Sequence, residues 1–246
     1  MTTRHHGETE ARTEGLEGRI EDVFEWATAH ARAVVIAIVS SLVIGGGIAA
    51  GWELARRAAE DAQRQLAEVE LAYNQAMGAG PRTVFPAEPA NPDQGVRARE
   101  GALAGFEAVA REHEGSVAAE LAGIRAAEIE IELGRAEAAE QRLQRFSDAA
   151  GRDTLTRGVA LRLRGYALEE LGRFGEAGDA YGAGGGVTGY PDRPAVWLSA
   201  ADNYARVGDS DRELAAYQQI LDLDPGFADR NQVTERLDAL GSGSRP

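Results

Sequence analysis

The side chains that could carry out catalysis are few in this sequence. It has no cysteine, all 26 of its basic residues are arginine, and its only histidines are His5, His6, His30 and His113. A chain without cysteine or lysine has no thiol nucleophile, no thiolate metal site, no Schiff-base lysine and no P-loop phosphate chemistry. We therefore predict that it is not an enzyme and has no catalytic residues.

One glycine pattern has the spacing of a dinucleotide-binding fingerprint, Gly184-x-Gly186-x-x-Gly189. That fingerprint needs a strand before it and a helix after it, so that backbone amides point at a pyrophosphate. Here the pattern follows a predicted helix and runs into Tyr190-Pro191. We interpret the stretch as a flexible loop between helices and predict no cofactor.

Two further clusters have side chains suited to metal or acid–base chemistry. His5 and His6 lie near Glu8, but in a polar tail with no second shell to orient them. Glu128, Glu130 and Glu132 alternate, so a helix would spread them over different faces, where we expect them to be solvated. We predict no metal site and no small-molecule substrate. An enzyme or its regulatory subunit would need a catalytic cluster that the sequence does not supply.

The charge of the chain excludes another class of partner. Its 40 acidic residues outnumber the basic ones, which leaves a formal net charge of −14. A nucleic-acid-binding protein needs a basic face to neutralise phosphates, so we predict no nucleic acid among the partners.

A single uncharged run, residues 33–52, indicates a membrane span. It extends from Ala33 to Trp52 between Arg32 and Glu53. A helix of that length covers roughly 30 Å, the thickness of the hydrocarbon core of a bilayer. A cleaved signal peptide is the alternative, but the preceding 32 residues are acidic where a short basic segment is expected. We therefore predict an uncleaved transmembrane helix.

The orientation of this span is not decided by the charges on either side. Two arginines precede it closely and three follow it, Arg19 and Arg32 against Arg56, Arg57 and Arg64. This count leans slightly towards a cytoplasmic C-terminal domain, although the positive-inside rule weakens when a long domain is translocated.

Small residues within the span could allow a second helix to approach. Gly47 and Gly51 have the Gly-x-x-x-Gly spacing of transmembrane packing faces. A chance match is the alternative, because glycine is common in membrane spans.

The remaining chain is predicted to be all-α and repetitive. Residues 1–32 form a polar tail with a juxtamembrane amphipathic helix, and residues 53–115 a membrane-proximal hairpin with helices over Leu54–Met77 and about Val96–His113. Four prolines lie in the loop of that hairpin, which we interpret as a degenerate first repeat. Residues 116–240 hold the repeats, with one capping helix over Asp229–Leu240, and residues 241–246 are a flexible tail.

The repeats are indicated by three glycines that each follow an apolar residue. Gly134, Gly172 and Gly208 are separated by 38 and 36 residues, a period typical of arrays with two helices per unit. The third unit matches the tetratricopeptide signature in residue type and spacing, through Trp197, Ala200, Ala201, Tyr204, Gly208, Tyr217, Ile220 and Pro225. Small residues would let the helices of a unit cross closely, and tyrosines would fill the space between units. We predict a single N-terminal transmembrane helix followed by a tetratricopeptide-type solenoid.

The order of these features resembles a known family. An acidic N-terminus, a span ending in Gly51-Trp52, a Leu71-Ala72-Tyr73 helix and degenerate repeats are similar to the YfgM-like ancillary subunits of the SecYEG translocon, from about Ile20 to Pro225. The resemblance implies a protein of the bacterial inner membrane, with a cytoplasmic N-terminus and a periplasmic repeat domain. It implies Sec translocon subunits, a membrane-anchored periplasmic prolyl isomerase and unfolded secreted clients as partners. Arg56 and Arg57 depart from this pattern, and a scaffold subunit of another cell-envelope complex is the alternative.

The family's groove lies on the first helix of each unit. Carried over to this chain, its positions are Leu121, Ile124, Glu128, Ile131, Glu132, Arg162, Tyr166, Glu169, Glu170, Leu198, Asp202 and Arg206. This mixture is apolar and acidic, so it would repel a C-terminal carboxylate and suits apolar or basic segments. Ordinary solvated helix faces are the alternative interpretation.

Overall fold

The computed structural model describes residues 31–79, 88–149 and 155–241, with side chains from Gly51 onwards. The predicted N-terminal tail and juxtamembrane helix, the centre of the proline-rich loop and the 242–246 tail lie outside the described residues. So do the side chains of the predicted span, apart from Gly51 and Trp52. Among the residues whose side chains are described, from Gly51 onwards, no helix combines the length and the apolar character that crossing a membrane requires.

The described residues form ten α-helices, which confirms the all-α prediction. They are α1 (Ala31–Ala76), α2 (Pro92–Glu112), α3 (Val117–Glu132), α4 (Ala136–Ala149), α5 (Leu155–Glu170), α6 (Phe174–Gly185), α7 (Arg193–Val207), α8 (Ser210–Leu223), α9 (Pro225–Arg230) and α10 (Val233–Gly241). The chain divides into two compact units, residues 1–57 and 58–246. From α2 onwards each helix packs on the next one along the chain, and α1 and α2 share an apolar cluster.

Three helices end in the same capping motif, at the glycines whose spacing predicted the repeat. Gly134, Gly172 and Gly208 have φ of 72°, 70° and 75°, a left-handed conformation that costs glycine little. Each glycine amide donates to the carbonyl three residues earlier, and the following amide donates to the carbonyl five residues earlier. Helix α1 ends identically at Gly78, with φ of 85°. The hairpin of α1 and α2 therefore shares the local geometry of the later helix pairs.

The apolar core passes from one helix pair to the next. One cluster joins α1, α2 and α3 around Phe106, a second joins α3, α4 and α5 around Leu143, and a third extends from α5 to α10 around Tyr217 and Ile220. No single helix pair buries its apolar face alone, so neighbouring pairs stabilise one another.

Glycines allow bulky side chains to lie directly on helix backbones. A Cβ at Gly165 would lie 2.7 Å from the ring of Tyr181, and one at Gly178 would lie 2.5 Å from the ring of Tyr204. Tyr204 thus fills the space between α6 and α7, as predicted for tyrosines between units. Tyr181 differs from that prediction, because it packs within a pair, on α6 against α5.

Three details differ from the sequence prediction. Helix α2 begins four residues before Val96, because the side chain of Asn91 accepts a hydrogen bond from the amide of Asp93 and Pro92 occupies the first turn. The predicted capping helix is two helices, α9 and α10, separated by a turn at Gln232 with φ of 56°. The glycine pattern at 184–189 is not wholly a loop, since Gly184 belongs to the last turn of α6 and is buried.

Candidate functional site

The predicted groove residues occupy matching positions on α3, α5 and α7. Glu128, Tyr166 and Asp202 each lie six residues before the capping glycine of their helix. Helix α3 contacts α5, and a hydrogen bond between Asn203 and Glu169 joins α7 to α5. Because the three helices end alike and touch, these positions adjoin on one face of the second unit, which we call the first-helix face.

Most of these side chains are accessible to a partner. Leu121 and Tyr166 are 41% and 44% exposed, so each offers apolar surface to a partner. The polar residues Glu132, Glu170, Asp202 and Arg206 are also exposed, and a half-buried group comprises Glu128, Ile131, Arg162, Glu169 and Leu198. Ile124 is an exception, because it lies in the core of α3, α4 and α5 at 4% exposure. It positions α3 and does not contact a ligand.

A first polar cluster on this face is centred on Glu132, at the end of α3. Its carboxylate accepts hydrogen bonds from the Tyr73 hydroxyl at 3.1 Å and from Arg99 Nε at 2.8 Å. Burial, followed by the negative charge of Glu132, raises the pKa of Tyr73 to about 12. Glu132 thereby ties α3 to both helices of the preceding hairpin.

A second cluster is centred on Glu169, in α5. The Tyr181 hydroxyl donates to one carboxylate oxygen at 2.9 Å, and Asn203 Nδ2 donates to the other at 2.6 Å. A guanidinium nitrogen of Arg206 lies 3.6 Å away. Burial and the charge of Glu169 raise the pKa of Tyr181 well above its ordinary value. This half-buried carboxylate holds α5, α6 and α7 together beneath the first-helix face.

A third cluster lies at the C-terminal end of the face, where α10 adjoins α7 and α8. Arg236 donates to Asp202 at 2.9 Å and to the Tyr217 hydroxyl at 3.1 Å. These side chains border a cleft of about 590 Å³, whose lining also includes Ala205, Glu213, Gln232, Glu235, Ala239 and Leu240. Sequence reasoning missed Arg236 because it treated α9 and α10 only as a cap.

A signal for these contacts was present in the sequence. Hydrogen bonds join Glu169 to Asn203 and Asp202 to Arg236 across 34 positions, and Arg142 reaches Glu107 across 35. That separation is close to the 38 and 36 residues between the capping glycines, so polar residues at about this spacing were candidates for direct contact. Spacing alone does not say which of them point at each other.

The alternating glutamates of α3 spread over different faces, as predicted. Glu128 pairs with Arg125 and Glu132 with Arg99. The expectation that all three are solvated is wrong for Glu130, which is 5% exposed. Its two oxygens accept hydrogen bonds from Arg142 at 2.9 and 2.7 Å, so it is a buried ion pair between α3 and α4.

The described side chains of the first-helix face can bind a partner through apolar contacts, ion pairs and hydrogen bonds. In that part of the chain, no group of three or more histidine, cysteine, aspartate or glutamate side chains is arranged to hold a metal ion. Of the predicted transmembrane packing pair, Gly47 lies outside the residues with described side chains, and a Cβ at Gly51 would meet no atom within 4 Å.

Comparison with known proteins adds no relative to this description. No protein-family model matches the sequence, and no curated protein matches it.

Proposed function

We propose that this chain is a membrane-tethered tetratricopeptide-type module that binds other proteins on its first-helix face. The observation that supports this most is the exposure of Leu121 and Tyr166 at groove positions, on helices that share one capping geometry. Protein-binding surfaces typically combine exposed apolar area with a polar rim.

The mechanism of such a module is non-covalent. The Glu132 and Glu169 clusters fix α3, α5 and α7 before a partner arrives, so little conformational entropy is lost on binding. The predicted span 33–52 would hold the module at the membrane and raise its concentration near other membrane components. Trp52, which is 77% exposed, suits the interface at the end of that span, and Gly47 with Gly51 would let a partner's membrane helix approach.

The resemblance to the YfgM-like subunits supports a more specific role. We propose an ancillary factor of the Sec translocon and the periplasmic chaperone network, in the bacterial inner membrane with the repeat domain outside the cytoplasm. Translocon subunits, a membrane-anchored prolyl isomerase and unfolded secreted proteins would then be its partners. The arginines after the span, Arg56, Arg57 and Arg64, favour the alternative of a scaffold in another envelope complex, with a cytoplasmic repeat domain.

Affinity purification from membranes in mild detergent, followed by mass spectrometry, tests this proposal. The wild-type chain is compared with Leu121→Asp/Tyr166→Asp, which places two charges on the first-helix face. Leu214→Asp is the matched control, since Leu214 is also 44% exposed but lies on α8. We expect translocon subunits and the prolyl isomerase with the wild type and the control, and their loss with the double variant.

Two other results would point elsewhere. Partners that the double variant retains would contradict binding on this face. A different, reproducible envelope complex, lost in the double variant, would favour the scaffold alternative. Circular dichroism of each variant must show unchanged helicity, which we expect because both substituted positions are exposed.

A further inference from the structure

Arginines in this chain bind aromatic rings and carboxylates together. Four guanidinium groups each lie 4.6–6.0 Å from the centre of an aromatic ring. Each of the four also forms an ion pair with a carboxylate. The combinations are Arg125 with Phe106 and Glu128, Arg206 with Phe174 and Glu169, Arg212 with Tyr204 and Asp179, and Arg236 with Tyr217 and Asp202.

A fifth pair of ring and carboxylate lies on α5, at the centre of the first-helix face. Tyr166 and Glu170 are one helical turn apart and both exposed, so their side chains are neighbours on the surface of the helix. Among the described residues, no arginine lies over this ring and none is ion-paired with Glu170. The ring and the carboxylate, the two kinds of group that hold four other arginines of the chain, are here exposed to solvent.

The charges of the surrounding face favour a cation at this position. Five of the predicted groove residues are acidic, and only Arg162 and Arg206 are basic. Four of the five acidic residues have an arginine partner within the chain, namely Glu128, Glu132, Glu169 and Asp202. Glu170 is the one whose charge no described arginine balances. An anionic segment would be repelled here and a cationic one attracted.

Tyr166 is held in the state that such a site needs. The negative charge of Glu170 raises the pKa of its hydroxyl above the ordinary value. The phenol therefore stays neutral at physiological pH.

We propose that Tyr166 and Glu170 bind an arginine side chain of a partner protein, with the guanidinium over the ring and ion-paired with the carboxylate. This inference rests on the proposed function, because it assigns a recognition element to the same face. A planar guanidinium stacks on a ring while it donates to a carboxylate, whereas an ammonium ion is more strongly hydrated and does not stack. The partner segment would therefore carry arginine in preference to lysine, with apolar residues that reach Leu121 and Ile131.

The test uses the full-length chain in mild detergent and three fluorescent 15-residue peptides. The peptides share a leucine- and alanine-rich sequence and differ at one central position, which is arginine, lysine or citrulline. Citrulline has the shape of arginine without its charge. We expect the arginine peptide to bind about ten times more tightly than the citrulline peptide, with the lysine peptide between them.

Variants assign that preference to the two residues. Glu170→Gln and Tyr166→Leu should each bring the affinity for the arginine peptide to that for the citrulline peptide. Glu137→Gln, the same change at an exposed position on α4, should leave the affinity for the arginine peptide unchanged. Equal binding of the arginine and citrulline peptides overturns the inference, and so does an arginine preference that survives both substitutions, or binding of none of the peptides.

The proposed function is tested independently of the peptides, by the partners that co-purify with the chain. If the arginine preference is absent but Leu121→Asp/Tyr166→Asp still loses those partners, the arginine site is wrong and the binding face stands. If partners remain bound to that double variant, the binding face itself is contradicted.

Discussion

Replacing Gly165 with alanine should destabilise the array, although the same change is usually favourable in a helix. Gly165 lies in α5, where a Cβ would be 2.7 Å from two ring carbons of Tyr181 and 2.8 Å from a third. Carbon atoms attract best at about 3.5–4.0 Å, so the ring would have to retreat by roughly 0.8 Å. Tyr181 is 5% exposed and its hydroxyl is bonded to Glu169 at 2.9 Å, so the ring has no free direction.

The expected magnitude follows from three opposing effects. Overpacking of this kind costs about 1–3 kcal/mol. Distorting a hydrogen bond to a carboxylate costs up to about 1.5–3 kcal/mol if it is lost. The higher helix propensity of alanine offsets about 1 kcal/mol of this destabilisation. We expect a net loss of about 2 kcal/mol in the free energy of unfolding.

Gly101→Ala is the matched control for this prediction. Gly101 lies in α2, where a Cβ would meet no atom within 4 Å, so we expect only the propensity gain of about 1 kcal/mol. Urea unfolding of the full chain in mild detergent, followed by circular dichroism at 222 nm, measures both. The two variants should shift the midpoint in opposite directions. A Gly165→Ala midpoint that rises as that of Gly101→Ala does would refute the close packing of α5 on α6.

Two further predictions concern the capping glycines and the buried tyrosines. Gly172→Ala should lower the free energy of unfolding by about 1–2 kcal/mol, because its φ of 70° is unfavourable for alanine; an unchanged urea midpoint would contradict this geometry. The pKa values of Tyr73 and Tyr204 are raised to about 12, chiefly by burial, from an ordinary value of 10.0. The unfolded chain loses these protons first as the pH rises. The stabilising contribution of each tyrosine is therefore fully present below pH 10 and is lost between pH 10 and pH 12, which lowers the free energy of unfolding on the order of 2 kcal/mol for each tyrosine. Urea midpoints at pH 9, 10 and 11 measure this, and Tyr73→Phe should flatten the dependence; an unchanged slope in that variant would count against a buried, hydrogen-bonded hydroxyl.

The local pattern of helices could be predicted from the sequence because it depends on backbone chemistry. The spacing of Gly134, Gly172 and Gly208 marked the ends of three helices, since glycine adopts a left-handed φ at little cost. Positions of the repeat signature such as Ala200 and Ile220 are likewise fully buried.

The pairing of polar side chains was much harder to predict. Glu130 and Glu132 are alike in sequence, but one is buried against Arg142 and the other is exposed beside Tyr73. Burial of a charge depends on whether a partner from another helix reaches it, which is a property of the packed array. The same reason hid Arg236, whose contact with Asp202 required the turn at Gln232 between α9 and α10. Ile124 was assigned to the groove by its position alone, yet that position faces the core.

Site-specific photocrosslinking in intact membranes tests the central claim most directly. A benzoylphenylalanine is placed either at Tyr166, on the first-helix face, or at Glu137, an exposed position on α4. If the first-helix face binds protein partners, irradiation should produce a discrete crosslinked product from position 166 and none from position 137, and Leu121→Asp should diminish it. No product from position 166, or the same products from both positions, would contradict the account.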